Sequence, residues 1–132
     1  MLKLTIVIPC YNEEEVLPST LSTMEKLIGR LRQETDTEAT LLMVDDGSRD
    51  RTWQIIVKEA KAKPFVHGIK LSHNEGHQNA LWAGMQESVD SCDAIVAIDA
   101  DLQDDENSIV DMVRQVKAGK DIIYGVRKSR AS

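Results

Sequence analysis

The chain has 132 residues, 42% of them hydrophobic and 29% charged, and a formal net charge of −6. That is the size and make-up of one packed domain or a piece of one, and the acidic balance excludes a nucleic-acid binder, which needs a basic footprint. Two cysteines, Cys10 and Cys92, stand far apart in neither a metal nor a redox spacing. They read as reduced thiols, Cys10 as a small buried hydrophobe, and fit a cytoplasmic location. The N-terminus goes straight into a strand pattern without a signal-peptide layout, and no run of about 18 apolar residues is present to cross a bilayer.

Residues 2–8 predict a strand that ends at Pro9. A turn follows, and the inward positions Val16, Leu17, Thr20, Leu21, Met24, Leu27, Ile28 and Leu31 then recur at helical spacing, with Pro18 in the first turn, where a missing N–H costs little. The polar stretch 34–40 reads as a loop and 41–44 as a second buried strand. Asp50 or Ser48 can cap the next helix, whose inner face is Trp53, Ile56, Val57 and Ala60. Residues 66–71 read as a third strand and 78–89 as a third helix packing Leu81, Met85 and Val89. Trp53 and Trp82 read as packing residues. Residues 94–98 form a fourth strand without a charge, and 104–117 a fourth helix with Ile109, Met112, Val113 and Val116 inward, stopped by Gly119. Residues 121–125 read as a fifth strand ahead of a basic tail.

This βαβαβαβαβ order predicts an α/β fold: a mostly parallel sheet with helices on both faces and right-handed crossovers. Ligands of such sheets bind at the carboxyl ends of the strands, where the strand order reverses. The polar clusters fall there, at 9–13, 45–48, 72–77 and 99–103, and the loops of the opposite edge carry no comparable constellation. Asp99 and Asp101, spaced i, i+2 at the mouth of the buried fourth strand, project to one side if the backbone stays extended. Two such carboxylates are costly without a positive partner, and hard oxygen ligands suit Mg²⁺ or Mn²⁺ with positions left for phosphate oxygens. Gln103 can complete the metal's shell, Asp46 can accept from a base N–H, and Tyr11 can stack on a base. No G-x-G-x-x-G, P-loop or G-x-S-x-G is present. Asp45 and Asp50 read equally as turn and cap residues, Glu13 as a first-turn acid, and His73 and His77 as loop and helix-start residues.

Four stretches together carry a resemblance: Ile6-Val7-Ile8-Pro9-Cys10-Tyr11-Asn12-Glu13, Val44-Asp45-Asp46-Gly47-Ser48-Arg49-Asp50-Arg51-Thr52, Asn74-Glu75-Gly76-His77-Gln78-Asn79-Ala80-Leu81 and Asp99-Ala100-Asp101-Leu102-Gln103. In this order the chain resembles the family 2 glycosyltransferases, most of all the polyprenyl-phosphate branch with dolichol-phosphate mannose synthases and bactoprenol glucosyltransferases. The resemblance implies the Rossmann-like nucleotide-binding half of a GT-A fold and an inverting transfer from a UDP- or GDP-sugar, with Mg²⁺ or Mn²⁺, to a polyprenyl phosphate in cell-envelope or glycan synthesis. It places Pro9, Tyr11, Glu13, Val44 and Asp46 around the nucleotide, Asp99, Ala100 and Asp101 at ribose, diphosphate and metal, Gln103 as a further metal ligand, and Arg127 at the diphosphate.

Where the family often continues Asp/His-Pro-Pro-Glu, this chain has Asp104-Asp105-Glu106. The family's catalytic domain is also considerably longer. Residues 1–132 are therefore expected to be the donor-binding part, with the acceptor half and any membrane helices beyond it and the full-length protein at the cytoplasmic face of a membrane. In the family an antiparallel strand lies between strands four and five. Without it, residues 122–124 lack a partner and are expected to pair differently or to mediate self-association. Two competing readings are a nucleotide-diphosphate-binding module without transferase activity and a receiver-like signalling domain.

Overall fold

The computed structural model describes residues 1–100, 106–118 and 124–126; the expectations at Asp101, Gln103, Asp104, Asp105, Gly119, Ile122 and Arg127 lie outside them. The elements are β1 (Leu2–Cys10), α1 (Leu17–Thr35), β2 (Thr37–Asp45), α2 (Thr52–Ala62), β3 (Val66–Lys70), α3 (His77–Ser88), β4 (Ala94–Ile98), α4 (Glu106–Lys117) and β5 (Tyr124–Val126). The strands form one sheet in the order β3-β2-β1-β4-β5, and every pairing is parallel. The α/β fold class read from the sequence is the one observed.

The helices divide three to one. On one face Leu4, Ile6 and Ile8 of β1 and Leu41 and Met43 of β2 bury against α1, α2 and α4. On the other, Val7, Leu42 and Val44 bury against Ala80 of α3. The alternation along β1 and β2 is what a strand covered on both faces requires. The last connection departs from the expected hand. From β1 the strands step outward to β2 and β3 with α1 and α2 on one face; the return to β4 carries α3 over the other. The step to β5 continues in that second direction, yet α4 lies on the face of α1, so β4–α4–β5 has the opposite hand to the other connections. The apolar stripe of α4 (Ile109, Val110, Met112, Val113) is buried in the α1 core. Polar contacts bridge the two helices, Arg30 to Asn107 at 2.9 Å and Arg114 to Glu34 at 3.3 Å.

Three further expectations are corrected. The stretch 34–40 is not a loop: α1 runs to Thr35, Asp36 alone turns the chain with φ 51°, and β2 begins at Thr37. The polar residues there satisfy themselves. The Thr35 and Thr37 hydroxyls lie 2.9 Å apart, and that of Thr35 reaches the Leu31 carbonyl at 2.6 Å. β1 does not stop at Pro9 but continues to Cys10. The β1–β4 ladder ends at Val7↔Ala97, so Pro9 pairs with β2 alone and leaves no central ladder bond unmade. The fully buried positions of α3 are Ala80, Gly84 and Ser88; of the expected Leu81, Met85 and Val89, Leu81 packs half-buried against the same cluster, but Val89 is 59% exposed, as is Trp82, so Trp82 is not a packing residue. At the fifth strand, the described residues pair differently from the family's arrangement, as one of the two expected alternatives has it: β5 lies directly beside β4, with Tyr124 level with Val96 in a parallel pair.

Small residues on α3 let its backbone approach the sheet. A Cβ on Gly84 would lie 2.5 Å from Val7 Cγ1 and 3.0 Å from Val44 Cγ2. Gly84→Ala gains about 1 kcal/mol of helix propensity, but overpacking against two buried β-branched side chains costs about 1–3 kcal/mol. The variant is therefore expected to be net destabilised in urea unfolding. Adding Val7→Ala should recover part of the loss, so that the double variant is more stable than the sum of the single effects; strict additivity would show that the two positions do not meet.

Candidate functional site

The β1–β2 register sets Pro9 level with Val44 and Cys10 level with Asp45. Continuing the β1–β4 register two residues beyond Val7↔Ala97 brings Asp99 level with Pro9. The strand order reverses between β1 and β4, so the crevice at their carboxyl ends is the place such sheets offer a ligand. A cleft of about 210 Å³ lies there, lined by residues of three strand ends: Pro9, Cys10, Tyr11 and Glu13, then Asp46, then Asp99 and Ala100, with Asn74, Gly76 and His77 from the loop before α3.

The loop after β2 holds the loop after β1. Ser48 Oγ accepts the Asn12 N–H at 2.9 Å, Thr52 Oγ1 the Glu13 N–H at 2.8 Å and Asp50 Oδ2 the Glu14 N–H at 3.2 Å, while Asn12 Oδ1 accepts the Arg49 N–H at 2.8 Å. Asp50 Oδ1 also takes the Thr52 N–H at 2.9 Å and its hydroxyl at 2.5 Å. Burial would raise the Asp50 carboxyl, but the bonds from the Thr52 hydroxyl, the Thr52 N–H and the Glu14 N–H outweigh it and hold it below its ordinary value. The same loop holds the one after β3. Asp46 Oδ1 accepts the Glu75 N–H at 2.7 Å and Oδ2 the Gly76 N–H at 3.1 Å. Gly47, with φ 74°, lets the loops touch: a Cβ there would lie 2.5 Å from the Asn74 nitrogen and the His73 carbonyl carbon.

Sequence reading thus undervalued Ser48, Asp50, Thr52 and Asn12. Arg51, at the N-cap of α2, makes no side-chain cap bond; Asp50 instead accepts the first N–H of that helix, that of Thr52, as the cap reading had it, and the four together also close one loop on another. Asp45 is the turn residue it resembled, fully buried with Oδ1 accepting the Ser48 N–H at 3.2 Å. Cys10 is buried as expected, and burial, together with Glu13 and Asp45, pushes its thiol far above the ordinary range. Val44 is fully buried under α3, and its side chain is not part of the cleft lining.

Tyr11 is 42% exposed on the cleft. Asp99 is buried, and its Oδ1 lies 3.6 Å from Nε2 of His77, the first residue of α3. His77 is therefore more than a helix start, because it faces a predicted ligand across the cleft. His73 instead sits outside it against Glu75, at 2.5 Å. Among the described residues no three His, Cys, Asp or Glu side chains gather as a ready metal cage. A buried carboxylate at the cleft wall is nevertheless the hard oxygen donor that a small divalent cation prefers, and two of the three predicted ligands, Asp101 and Gln103, lie outside the described residues. No helix among the described residues is long and apolar enough to cross a membrane.

Comparison with known proteins gives the site a setting. Residues 5–132 match the family described as glycosyl transferase family 2. The chain is 44% identical over 129 residues to YkoT of Bacillus subtilis (strain 168), named an uncharacterized glycosyltransferase, covering 96% of this chain and 38% of that protein. It is 31% identical over 131 residues to the bactoprenol glucosyl transferase of Shigella phage SfV, covering 99% of this chain and 41% of that protein. Among solved structures, the mannosyltransferase PcManGT of Pyrobaculum calidifontis, in complex with GDP-Man and Mn²⁺, superposes with a TM-score of 0.68 at 20% identity, covering 84% of this chain and 31% of that one. This last likeness is one of fold, that of the GT-A glycosyltransferases. The chain spans about two fifths of the length of the curated relatives it matches.

Two outcomes test the loop clamps. Asp46→Ala should speed amide exchange at Glu75 by about tenfold or more, since that N–H loses its acceptor, and by less at Gly76, whose N–H keeps Asn74 Oδ1 at 3.0 Å; unchanged protection at Glu75 would place the hold on that loop elsewhere. Asp50→Ala should cost about 1–2 kcal/mol in urea unfolding at pH 7. A carboxyl lowered by folding stabilises above its unfolded value of about 3.9 and loses that contribution as pH falls through the folded value. The gap between parent and variant should therefore narrow below about pH 4; a constant gap would mean that the carboxylate's charge is irrelevant to the clamp.

Proposed function

Since this chain belongs to glycosyl transferase family 2, we propose that residues 1–132 are the donor-binding part of an inverting enzyme that moves a sugar from a UDP- or GDP-sugar to a polyprenyl phosphate in cell-envelope synthesis. The observation that carries this reading is the cleft at the switch point, which joins an exposed aromatic ring, Tyr11, to a buried carboxylate, Asp99, through the clamped loop of Asp46. A nucleotide needs such a graded site, with a flat surface for the base at one end and charge control for the diphosphate at the other.

In this reading the Tyr11 ring stacks on the base. Asp46, its two oxygens already accepting the Glu75 and Gly76 N–H groups, keeps lone pairs for a base N–H. Pro9, Glu13 and the Val44 backbone form the floor at the strand ends, Ala100 meets the ribose, and Arg127 meets the diphosphate. Mg²⁺ or Mn²⁺ is held by Asp99, Asp101 and Gln103. When bound, the cation offsets the charge of the diphosphate and makes it a better leaving group. His77, at the start of α3, orients the Asp99 carboxylate. The bactoprenol relative's name supports a polyprenyl-phosphate acceptor, and such an acceptor puts the full-length protein at the cytoplasmic face of a membrane. Because relatives devote more than half their length to residues outside this stretch, the 132-residue chain alone is expected to bind donor but to transfer no sugar. Family membership disfavours a receiver-like role, and Asp46, engaged by two backbone donors, is not part of an open acid pair.

Calorimetry with UDP and with GDP, each in Mn²⁺ and again in EDTA, tests the donor site. Saturable binding of one nucleotide in Mn²⁺ is expected, weakened about tenfold or more by EDTA or by Asp99→Ala. Binding of neither nucleotide by the full-length protein would overturn the reading.

A further inference from the structure

α1 carries a hydroxyl in its buried apolar stripe. Its inward residues near the start are Leu17, Thr20, Leu21 and Met24, and Thr20 is only 2% exposed. A buried threonine in a helix ordinarily turns its hydroxyl to the carbonyl four residues back. Here that carbonyl, of Val16, already accepts the Thr20 N–H at 3.1 Å and lies 3.2 Å from the hydroxyl. The nearer partner of Thr20 Oγ1 is the carbonyl oxygen of Ala100, 80 residues on in the chain. Ala100 is itself buried, 2% exposed, on the lining of the cleft, and follows Asp99 where the chain leaves β4.

We propose that Thr20 is a positioning residue for the donor site: its buried hydroxyl holds the Ala100 carbonyl and so sets the backbone where the chain leaves Asp99. The inference rests on the donor-site reading above and assigns a role to a residue outside its motifs. A peptide group is planar, so a fixed carbonyl fixes the plane in which the chain leaves Ala100, directly after the Asp99 carboxylate on the cleft wall. The holder comes from α1, whose Leu17, Leu21 and Met24 are locked in the main core. The backbone that follows Asp99 is thus referenced to the body of the domain and not only to the end of β4. Supporting contacts behind metal-ligating side chains characteristically tune metal affinity more than they tune the rest of a site.

The test is made in the full-length protein by calorimetric titration of Mn²⁺ at fixed UDP or GDP, with thermal unfolding measured alongside. Thr20→Val keeps the branched shape and removes the donor; Thr20→Ala removes the same hydroxyl without adding an apolar contact, so the test stands if one of them does not fold. Both should raise the Mn²⁺ concentration required for half-maximal nucleotide binding by about tenfold, while the affinity measured in EDTA stays at the wild-type value. Thr20→Ser, which retains the hydroxyl, should restore the wild-type Mn²⁺ requirement. An unchanged Mn²⁺ requirement in Thr20→Val and Thr20→Ala overturns the proposal, as does an equal loss of affinity with and without metal, which would mark a purely structural residue. Wild-type protein that shows no Mn²⁺-dependent nucleotide binding overturns the donor-site reading itself, and this assignment with it.

Discussion

Nine consecutive parallel pairs between β1 and β2 set the level at which every polar residue of the site emerges. A slip of one residue in that ladder would turn Ile6 and Ile8 toward α3 and Val7 toward α1, exchanging two cores of different volume. The register is therefore fixed by burial, and the burial is asymmetric. The face of α1, α2 and α4 takes large aliphatic side chains, whereas the face of α3 closes on Ala80 and Gly84, where the backbone itself comes close. With the register fixed, Pro9, Asp45 and the start of the Asp99 turn end in one plane, and the loops that follow have no choice but to meet.

Loops that meet at a sheet edge bury backbone N–H groups, and each needs an acceptor. The acidic and hydroxyl residues of 45–52 supply them: Asp45 to its own turn, Ser48, Asp50 and Thr52 to the loop after β1, and Asp46 to the loop after β3. An aspartate-rich stretch that suggests catalysis or metal binding in one dimension is thus mostly a set of hydrogen-bond acceptors in three. This division explains why a site can be stiff although it is built on loops. Several charge-assisted bonds, each contributing about 1–3 kcal/mol, lie between segments that have few apolar contacts of their own.

How much of this the sequence discloses depends on the scale at which each feature is specified. Strand and helix identities are legible because Ile6, Ile8, Leu27 and Ile109 repeat at the period of their element. The polar clusters at the carboxyl edge are legible because chain order alone puts them there. The early start of β2 is not, since Thr37 and Glu38 look like loop residues until the Thr35–Thr37 hydroxyl pair is seen to satisfy them. The inward face of α3 is read only in part for a related reason: Leu81 does pack against it, but Met85 and Val89 outweigh Ala80 and Gly84 on any hydrophobicity scale, whereas close approach selects for small size. The hand of β4–α4–β5 is also invisible, because the stripe of α4 says that it is buried without saying against which face. Long-range contacts such as Thr20 to Ala100 leave no local signal at all.

Charge gives the site its last constraint. The cleft is lined by three carboxylates, of Glu13, Asp46 and Asp99, and its described lining includes no lysine or arginine. Asp46 is balanced by two backbone donors, and Asp99 has the His77 imidazole at 3.6 Å. An anion entering such a cleft alone would meet repulsion at close range, where the screening of bulk water is reduced. An anion entering with a divalent cation meets the opposite, because the carboxylates that repel the one attract the other. A nucleoside diphosphate accompanied by a metal ion is a ligand of that kind, and in the reading proposed above the acidity that argues against nucleic acid for the whole chain is what suits this edge of it to a metal–diphosphate complex.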